Sequence, residues 1–165
     1  MSTTGRLDDV RFLVLDDHPN MRRLWRTILL SLGVKWVHEA GDAAEAFELL
    51  RSRPVDIAIV DQVLGDLTGI EFIRLLRGGD DSPVRHLPII ACTADTRRTV
   101  IKELIDAGAD EVLAKPVSIN AAWVKFHEVV MRRREFVRAN QFFGPDRRRR
   151  TNGVEPENDR RRSTS

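Results

Sequence analysis

The chain alternates between two hydrophobic periodicities. Short, mostly apolar runs occur at Arg11-Phe12-Leu13-Val14-Leu15, Val55-Asp56-Ile57-Ala58-Ile59-Val60, Leu87-Pro88-Ile89-Ile90-Ala91-Cys92-Thr93-Ala94 and Glu111-Val112-Leu113-Ala114. Between them lie longer segments whose apolar residues recur every three or four positions. Runs of the first kind read as strands buried on both faces, and segments of the second kind as amphipathic helices. One stretch alternates strictly: Val34, Trp36 and His38 against Lys35, Val37 and Glu39, as in a strand near a sheet edge.

The helical segments carry their own punctuation. Pro19 suits a first turn, Met21, Leu24, Trp25, Ile28 and Leu32 share one face, and Gly33 closes that helix. Ala43 to Arg51 is a second helix ending before Pro54, and Thr68 to Arg77 a third. Gly78 to Pro83 is a loop. Thr96 to Ala107 is a fourth helix, closed by Gly108, and a fifth starts after Ser118 with the stripe Ile119, Ala122, Trp123, Phe126, Val129 and Val130. Five strands alternating with five helices predict an α/β doubly wound parallel sheet of flavodoxin-like order 2-1-3-4-5.

In such a sheet chemistry gathers at the carboxyl ends of the strands. The first strand runs into Asp16-Asp17 and the third into Asp61; the next ends at Thr93 and the last at Lys115-Pro116. Three carboxylates brought together repel one another unless a cation offsets them, and oxygen-only ligands suit a hard divalent ion such as Mg²⁺. Taken singly, each residue has a plain explanation as a turn or cap. All of them in this order, at strand ends, point to a phosphoryl-accepting site.

That set resembles the receiver domain of bacterial two-component response regulators, over roughly residues 8 to 130. The helix opening Asp17-His18-Pro19-Asn20-Met21-Arg22-Arg23 and the turn Ala107-Gly108-Ala109-Asp110 are also of receiver type. The resemblance implies that Asp61 is the nucleophile, accepting a phosphoryl group from a phosphohistidine on a sensor histidine kinase or phosphotransfer protein. It implies that Asp17 binds Mg²⁺ directly and Asp16 largely through water, with Asp61 and the backbone carbonyl of Val63 completing the set. Lys115 and Thr93 would then meet the phosphoryl oxygens. Such a chain is not an enzyme beyond assisting its own phosphorylation and dephosphorylation.

The chain departs from the family in three places. Gly65 stands where a proline is usual, so a more mobile loop is expected. Val63, two residues after the acceptor, cannot orient an attacking water, and Asp95 is a substitute for that role. Val112 stands where an aromatic commonly reports the Thr shift, and the chain has no tyrosine. Apart from these departures, His18 lies close to the acid pair and is a candidate to tune the pocket.

Composition bounds the rest. A length of 165 residues fits one domain, 1–130, and a tail, 131–165. The lone cysteine, Cys92, reads as a small core residue and suits a reducing cytoplasm. No run approaches a membrane span and no secretory signal pattern opens the chain, so a cytoplasmic location is expected. Residues 1–130 carry 16 basic and 20 acidic side chains, whereas residues 131–165 carry 11 basic and 5 acidic ones. Any affinity for nucleic acid or membrane therefore rests on the tail. Met131 to Ala139 is expected to extend the fifth helix, and the Arg-rich remainder to be disordered. Three readings of the tail stay open: a solubilising segment, a docking peptide anchored by Phe142-Phe143, and electrostatic attachment to nucleic acid or anionic lipid. The reading favoured is a single-domain response regulator that signals by phosphorylation-dependent protein binding or passes its phosphoryl group along a relay. The alternative is a phosphorylation-controlled nucleic-acid-binding regulator acting through its tail. A monomer or a phosphorylation-dependent dimer fits either.

Overall fold

The computed structural model describes residues 7–80, 82 and 84–131, together with the backbone of 136–139 and 142–145. After a 3-10 turn at Leu7–Asp9, strands and helices alternate. They are β1 (Arg11–Leu15), α1 (Pro19–Ser31), β2 (Trp36–Ala40), α2 (Ala43–Ser52), β3 (Ile57–Asp61), α3 (Gly69–Gly78), β4 (Ile89–Thr93), α4 (Arg98–Ala107), β5 (Glu111–Ala114) and α5 (Ile119–Met131). The five strands are parallel and ordered β2-β1-β3-β4-β5, the predicted flavodoxin-like topology.

The period of two along each strand divides the core into two layers. Leu13, Leu15, Ala58, Val60, Ile89 and Ala91 face the side covered by α2, α3 and α4. Phe12, Val14, Ile57, Ile59, Ile90 and Cys92 face the side covered by α1 and α5. Burial on both faces is why the strands read as unbroken apolar runs. Cys92 lies inside this core, and burial pushes its thiol pKa far up. Among the described residues, no helix is long and apolar enough to cross a membrane.

Several expectations about faces need correction. Leu24 is largely exposed, while Trp25, Ile28 and Leu29 are buried, so the inward stripe of α1 is rotated by about one residue. Ile119, Trp123 and Val130 on α5 are exposed, and Ala122, Phe126 and Val129 make its buried seam. Val34 is buried before β2 begins, but Trp36 points out at the sheet edge. A helix this rich in apolar residues has more hydrophobic positions than the sheet can cover, so the sequence pattern is wider than the buried stripe. The fourth helix starts at Arg98 rather than Thr96, because the Asp95 carboxylate accepts from the Arg97 amide and turns the chain first.

The extension of the fifth helix to Ala139 is overturned. Helix α5 is described to Met131, and Phe136–Ala139 (β6) is not helical but pairs antiparallel with Phe142–Pro145 (β7). Phe136-Val137 and Phe142-Phe143 are strand-favouring pairs, and in the register Phe136 opposes Pro145 while Ala139 opposes Phe142. The backbone of β7 lies against α3 and α4. The arginine runs at 147–150 and 160–162, and with them the expected disorder of the tail, lie outside the described residues.

One buried polar cluster ties α3 to the turn before β5. The Arg77 guanidinium, almost fully buried, donates to the Gly108 carbonyl at 2.9 and 3.1 Å and lies 3.1 Å from Asp110 Oδ2. Asp110 Oδ2 also accepts from the Ile89 amide at 2.8 Å, which fixes the start of β4. Gly108 is required twice over: its φ is +121°, and a Cβ would sit 2.8 Å from Arg77 Cγ. Removing one partner of a buried ion pair strands the other. Asp110→Ala is therefore expected to lower stability by about 3 kcal/mol or more, measured by urea unfolding. A loss within the range of surface substitutions would show that the cluster is not a structural staple.

Candidate functional site

The parallel register brings the C-terminal ends of β1, β3, β4 and β5 level with one another. Leu15 pairs with Val60, Asp61 with Cys92, and Thr93 with Ala114. Asp16 therefore follows β1, Asp61 ends β3, Thr93 ends β4 and Lys115 follows β5, all on one rim. Backbone bonds hold these positions: the Asp16 amide donates to the Ala40 carbonyl at 3.1 Å, Gln62 to Cys92 at 2.9 Å, and Lys115 to Thr93 at 2.8 Å. Arg22 on α1 donates from Nη1 to the Asp16 carbonyl at 2.7 Å, a positioning contact that the helix pattern alone does not reveal.

The charged atoms converge. Lys115 Nζ lies 2.6 Å from Asp61 Oδ1 and 3.8 Å from Asp16 Oδ2. Asp16 and Asp61 are buried, and Asp17 is partly exposed at the mouth. One donor atom from each of Asp16, Asp17, His18 and Asp61 lies within 4.8 Å of the others. Asp16 Oδ2 and Asp17 Oδ1 are buried without a hydrogen-bond partner. Orphaned carboxylate oxygens are costly in a protein interior, and a divalent cation is what this donor set fits.

The charge imbalance sets the titration of the site. Burial lifts the Asp61 pKa, and although Lys115 pulls it down, repulsion from Asp16 and Asp17 leaves it above the ordinary carboxylate value. Burial alone would lower the Lys115 pKa, but its bond to Asp61 and the fields of Asp61 and Asp16 raise it instead. The Asp61 shift comes first from burial and then from its neighbouring carboxylates, whereas those carboxylates raise Lys115 against burial.

The loop after Asp61 passes very close to its backbone. A Cβ on Gly69 would lie 2.4 Å from the Asp61 carbonyl oxygen, so only glycine fits. The Gly69 amide donates to the Gln62 carbonyl at 2.7 Å, a Val63–Thr68 bridge closes the loop, and Thr68 with Glu71 forms a reciprocal cap on α3. Gly65 lies at the tip of this closed turn near Asp17, with room for a side chain. Val63 is 64% exposed at the mouth.

On the switch side, the Thr93 hydroxyl meets the Gln62 side-chain carbonyl and accepts from the Asp95 amide at 2.9 Å. Gln62 is the site residue that sequence reasoning missed. Its position beside the acceptor was visible, but no one-dimensional pattern shows that its side chain reaches across to Thr93. The Asp95 carboxylate is held by Arg97 at 2.6 to 3.0 Å, which lowers its pKa and takes it away from the expected water-orienting role. Val112 is half-buried against the core layer of α3 and α4. None of the three tryptophans joins the site: Trp25 is in the core, and Trp36 and Trp123 are exposed elsewhere.

With this geometry in place, comparison with known proteins gives a consistent picture. A family model described as the response regulator receiver domain matches residues 12–124. The chemotaxis protein CheY of Pseudomonas aeruginosa is 30% identical over 123 residues, covering 74% of this chain and 98% of that protein. Among solved structures, CheY4 of Vibrio cholerae has a TM-score of 0.66 at 26% identity, over 73% of this chain and 98% of that one. The receiver domain of a Francisella response regulator has a TM-score of 0.67 at 24% identity, over 75% and 98%, a likeness of fold.

The raised pKa of Asp61 carries a sign. The folded protein holds that proton more tightly than the unfolded chain, so Asp61 costs stability once pH rises from the ordinary value of 3.8 through its raised folded value. In chelator, Asp61→Asn is expected to melt several degrees higher than wild type at neutral pH. The difference should shrink as pH is taken below about 4. Thermal melts of both proteins across that range provide the check, and a gain independent of pH would contradict it.

Proposed function

Since the chain belongs to the response regulator receiver domain family, we propose that it accepts a phosphoryl group on Asp61 and signals through the phosphorylated state. The observation that carries this is the 2.6 Å contact of Lys115 with Asp61 at the base of the orphaned acid cluster. The donor is a phosphohistidine on a sensor histidine kinase or a phosphotransfer protein. An Asp61 carboxylate oxygen forms the new O–P bond as the P–N bond breaks. The electron pair returns to the leaving imidazole nitrogen, which takes a proton from water. The product is an acyl phosphate on the protein.

Asp16, Asp17 and Asp61 would hold Mg²⁺, with the Val63 carbonyl as a backbone donor. When bound, the ion neutralises charge on the transferring phosphoryl group. Lys115 already sits on one oxygen of the acceptor, so its ammonium follows that charge onto the phosphoryl oxygens as a point donor. Thr93 donates its hydroxyl to another phosphoryl oxygen. To do so it must give up the Gln62 carbonyl, so Gln62 holds the unphosphorylated arrangement and its release is part of the switch. Apart from promoting its own phosphorylation and dephosphorylation, the chain is not an enzyme. Its output is contact with a downstream protein, or onward transfer in a relay, in the cytoplasm and as a monomer or phosphorylation-dependent dimer. A nucleic-acid-binding role through the Arg-rich tail is the second reading, favoured only by the basic excess after residue 130.

Intact-mass spectrometry after incubation with Mg²⁺ and acetyl phosphate tests the proposal. One phosphoryl adduct is expected, absent without the metal and absent in Asp61→Ala. An adduct that survives in Asp61→Ala would move the acceptor elsewhere. The exposed Val63 supplies a further expectation. Val63→Asn places a polar group at the mouth and is expected to change the adduct's lifetime by about tenfold, followed by the decay of the same mass. An unchanged lifetime would remove Val63 from control of hydrolysis.

A further inference from the structure

His18 is an imidazole that its helix does not use. It occupies the N-cap of α1, where Ser, Thr, Asp or Asn would normally accept from a first-turn amide, and its side chain makes no capping bond. The ring is not recruited to the core either, since its side chain is 65% exposed. What it does is turn Nδ1 toward the acid pair, 2.8 Å from Asp17 Oδ1 and 3.4 Å from Asp16 Oδ1.

The shorter separation is that of a hydrogen-bonded or ionic pair and the longer that of a loose one, and both also lie in the range of neighbouring ligands on one metal ion. Although Nδ1 is within 2.8 Å of Asp17 Oδ1, that oxygen has no aligned hydrogen bond. In an octahedral shell with bonds of about 2.1 Å, neighbouring ligands stand about 3.0 Å apart and opposite ones about 4.2 Å apart. The four donor atoms of Asp16, Asp17, His18 and Asp61 fall within 4.8 Å of one another, a set slightly wider than such a shell that a bound ion would draw in. A second observation is independent of the imidazole. Asp16, 1% exposed, keeps Oδ2 without a hydrogen bond, Lys115 Nζ standing 3.8 Å away, while its other oxygen is taken by the His18 amide at 2.9 Å. Three carboxylates against one Lys115 leave two negative charges. A divalent ion balances the pocket.

We propose that His18 supplies a nitrogen ligand that turns an all-oxygen pocket into a mixed nitrogen–oxygen one, favouring a divalent transition ion such as Mn²⁺ or Co²⁺ over Mg²⁺. Mg²⁺ is hard and prefers oxygen, whereas imidazole binds the later first-row ions more strongly. The inference rests on the metal-binding reading of the same acidic cluster, and its test separates the two.

The experiment uses the full chain, wild type and His18→Gln, loaded with Mn²⁺ and examined by pulsed electron paramagnetic resonance. Wild type is expected to show modulation from a directly bound ¹⁴N nucleus, and His18→Gln to lose it. Competition titrations should give a preference for Mn²⁺ over Mg²⁺ that falls about tenfold in His18→Gln. Because the side chain makes no capping bond, the variant retains its fold, as far-UV circular dichroism verifies; His18→Asn, a better cap, serves as the second variant. Mn²⁺ bound without nitrogen coupling, or an ion preference unchanged in both variants, overturns the role of His18 and leaves the metal pocket standing. Failure of wild type to bind either ion overturns the metal reading itself, and this inference with it.

Discussion

Three carboxylates and one ammonium meet at the carboxyl end of the sheet, and the rest of the site follows from that imbalance. Asp16 and Asp61 are buried, where charge is poorly screened, and Lys115 lies 2.6 Å from one and 3.8 Å from the other. A single cation cannot satisfy both as well as Asp17, so two carboxylate oxygens are left orphaned. Burying charge without partners is destabilising, so the pocket suits a positively charged group or one that carries a cation with it. A metal ion together with a phosphoryl group would fit it, because each makes the other tolerable.

The sheet makes this meeting unavoidable. In a parallel sheet every strand points the same way, so residues that follow strands β1, β3 and β5 emerge on one rim whatever their distance in sequence. Two core layers of apolar residues lock the register, since a slip of one residue would exchange the two faces of a strand. The Arg77–Asp110 cluster then fixes the far end of β4, so that Thr93 arrives at the rim in a defined place. Rigidity on one side of the sheet thus serves precision on the other.

Most of this was legible in one dimension because it depends on local periodicity and on what stands at strand ends. Asp16, Asp17, Asp61, Thr93 and Lys115 could be placed from the apolar runs alone. The faces of α1 and α5 could not, because Leu24, Trp123 and Val130 satisfy the helical period without finding a surface to cover them. Contacts between elements were also invisible: the reach of Gln62 to Thr93, the grip of Arg22 on the Asp16 carbonyl, and the withdrawal of Asp95 by Arg97. Gly69 was visible as a residue but not as a necessity, which comes from the Asp61 carbonyl crossing beneath it. The short hairpin of β6 and β7 was missed because a run of arginines invites a helical reading, while the aromatic pairs flanking them favour extended chain.

How the site communicates outward follows from the same contacts. With Val112 in place of an aromatic, a large side-chain swing beside β5 is not available, and a half-buried Val has few rotamers to change. The exchange that remains is at Thr93, whose hydroxyl has one proton to give and meets the Gln62 carbonyl before phosphorylation. On the proposed function, moving that proton to a phosphoryl oxygen would act on the loop between β4 and α4, where the Asp95 amide is bonded to the same hydroxyl and Asp95 in turn holds Arg97 at the start of α4. The signal therefore has a continuous covalent and hydrogen-bonded route from Asp61 to the N-terminus of α4. Helix α4 packs on α3 and also lies against the backbone of β7, so a shift of α4 must be accommodated by the C-terminal hairpin. On the proposed function, output would run through the backbone at the start of α4 rather than through an aromatic lever.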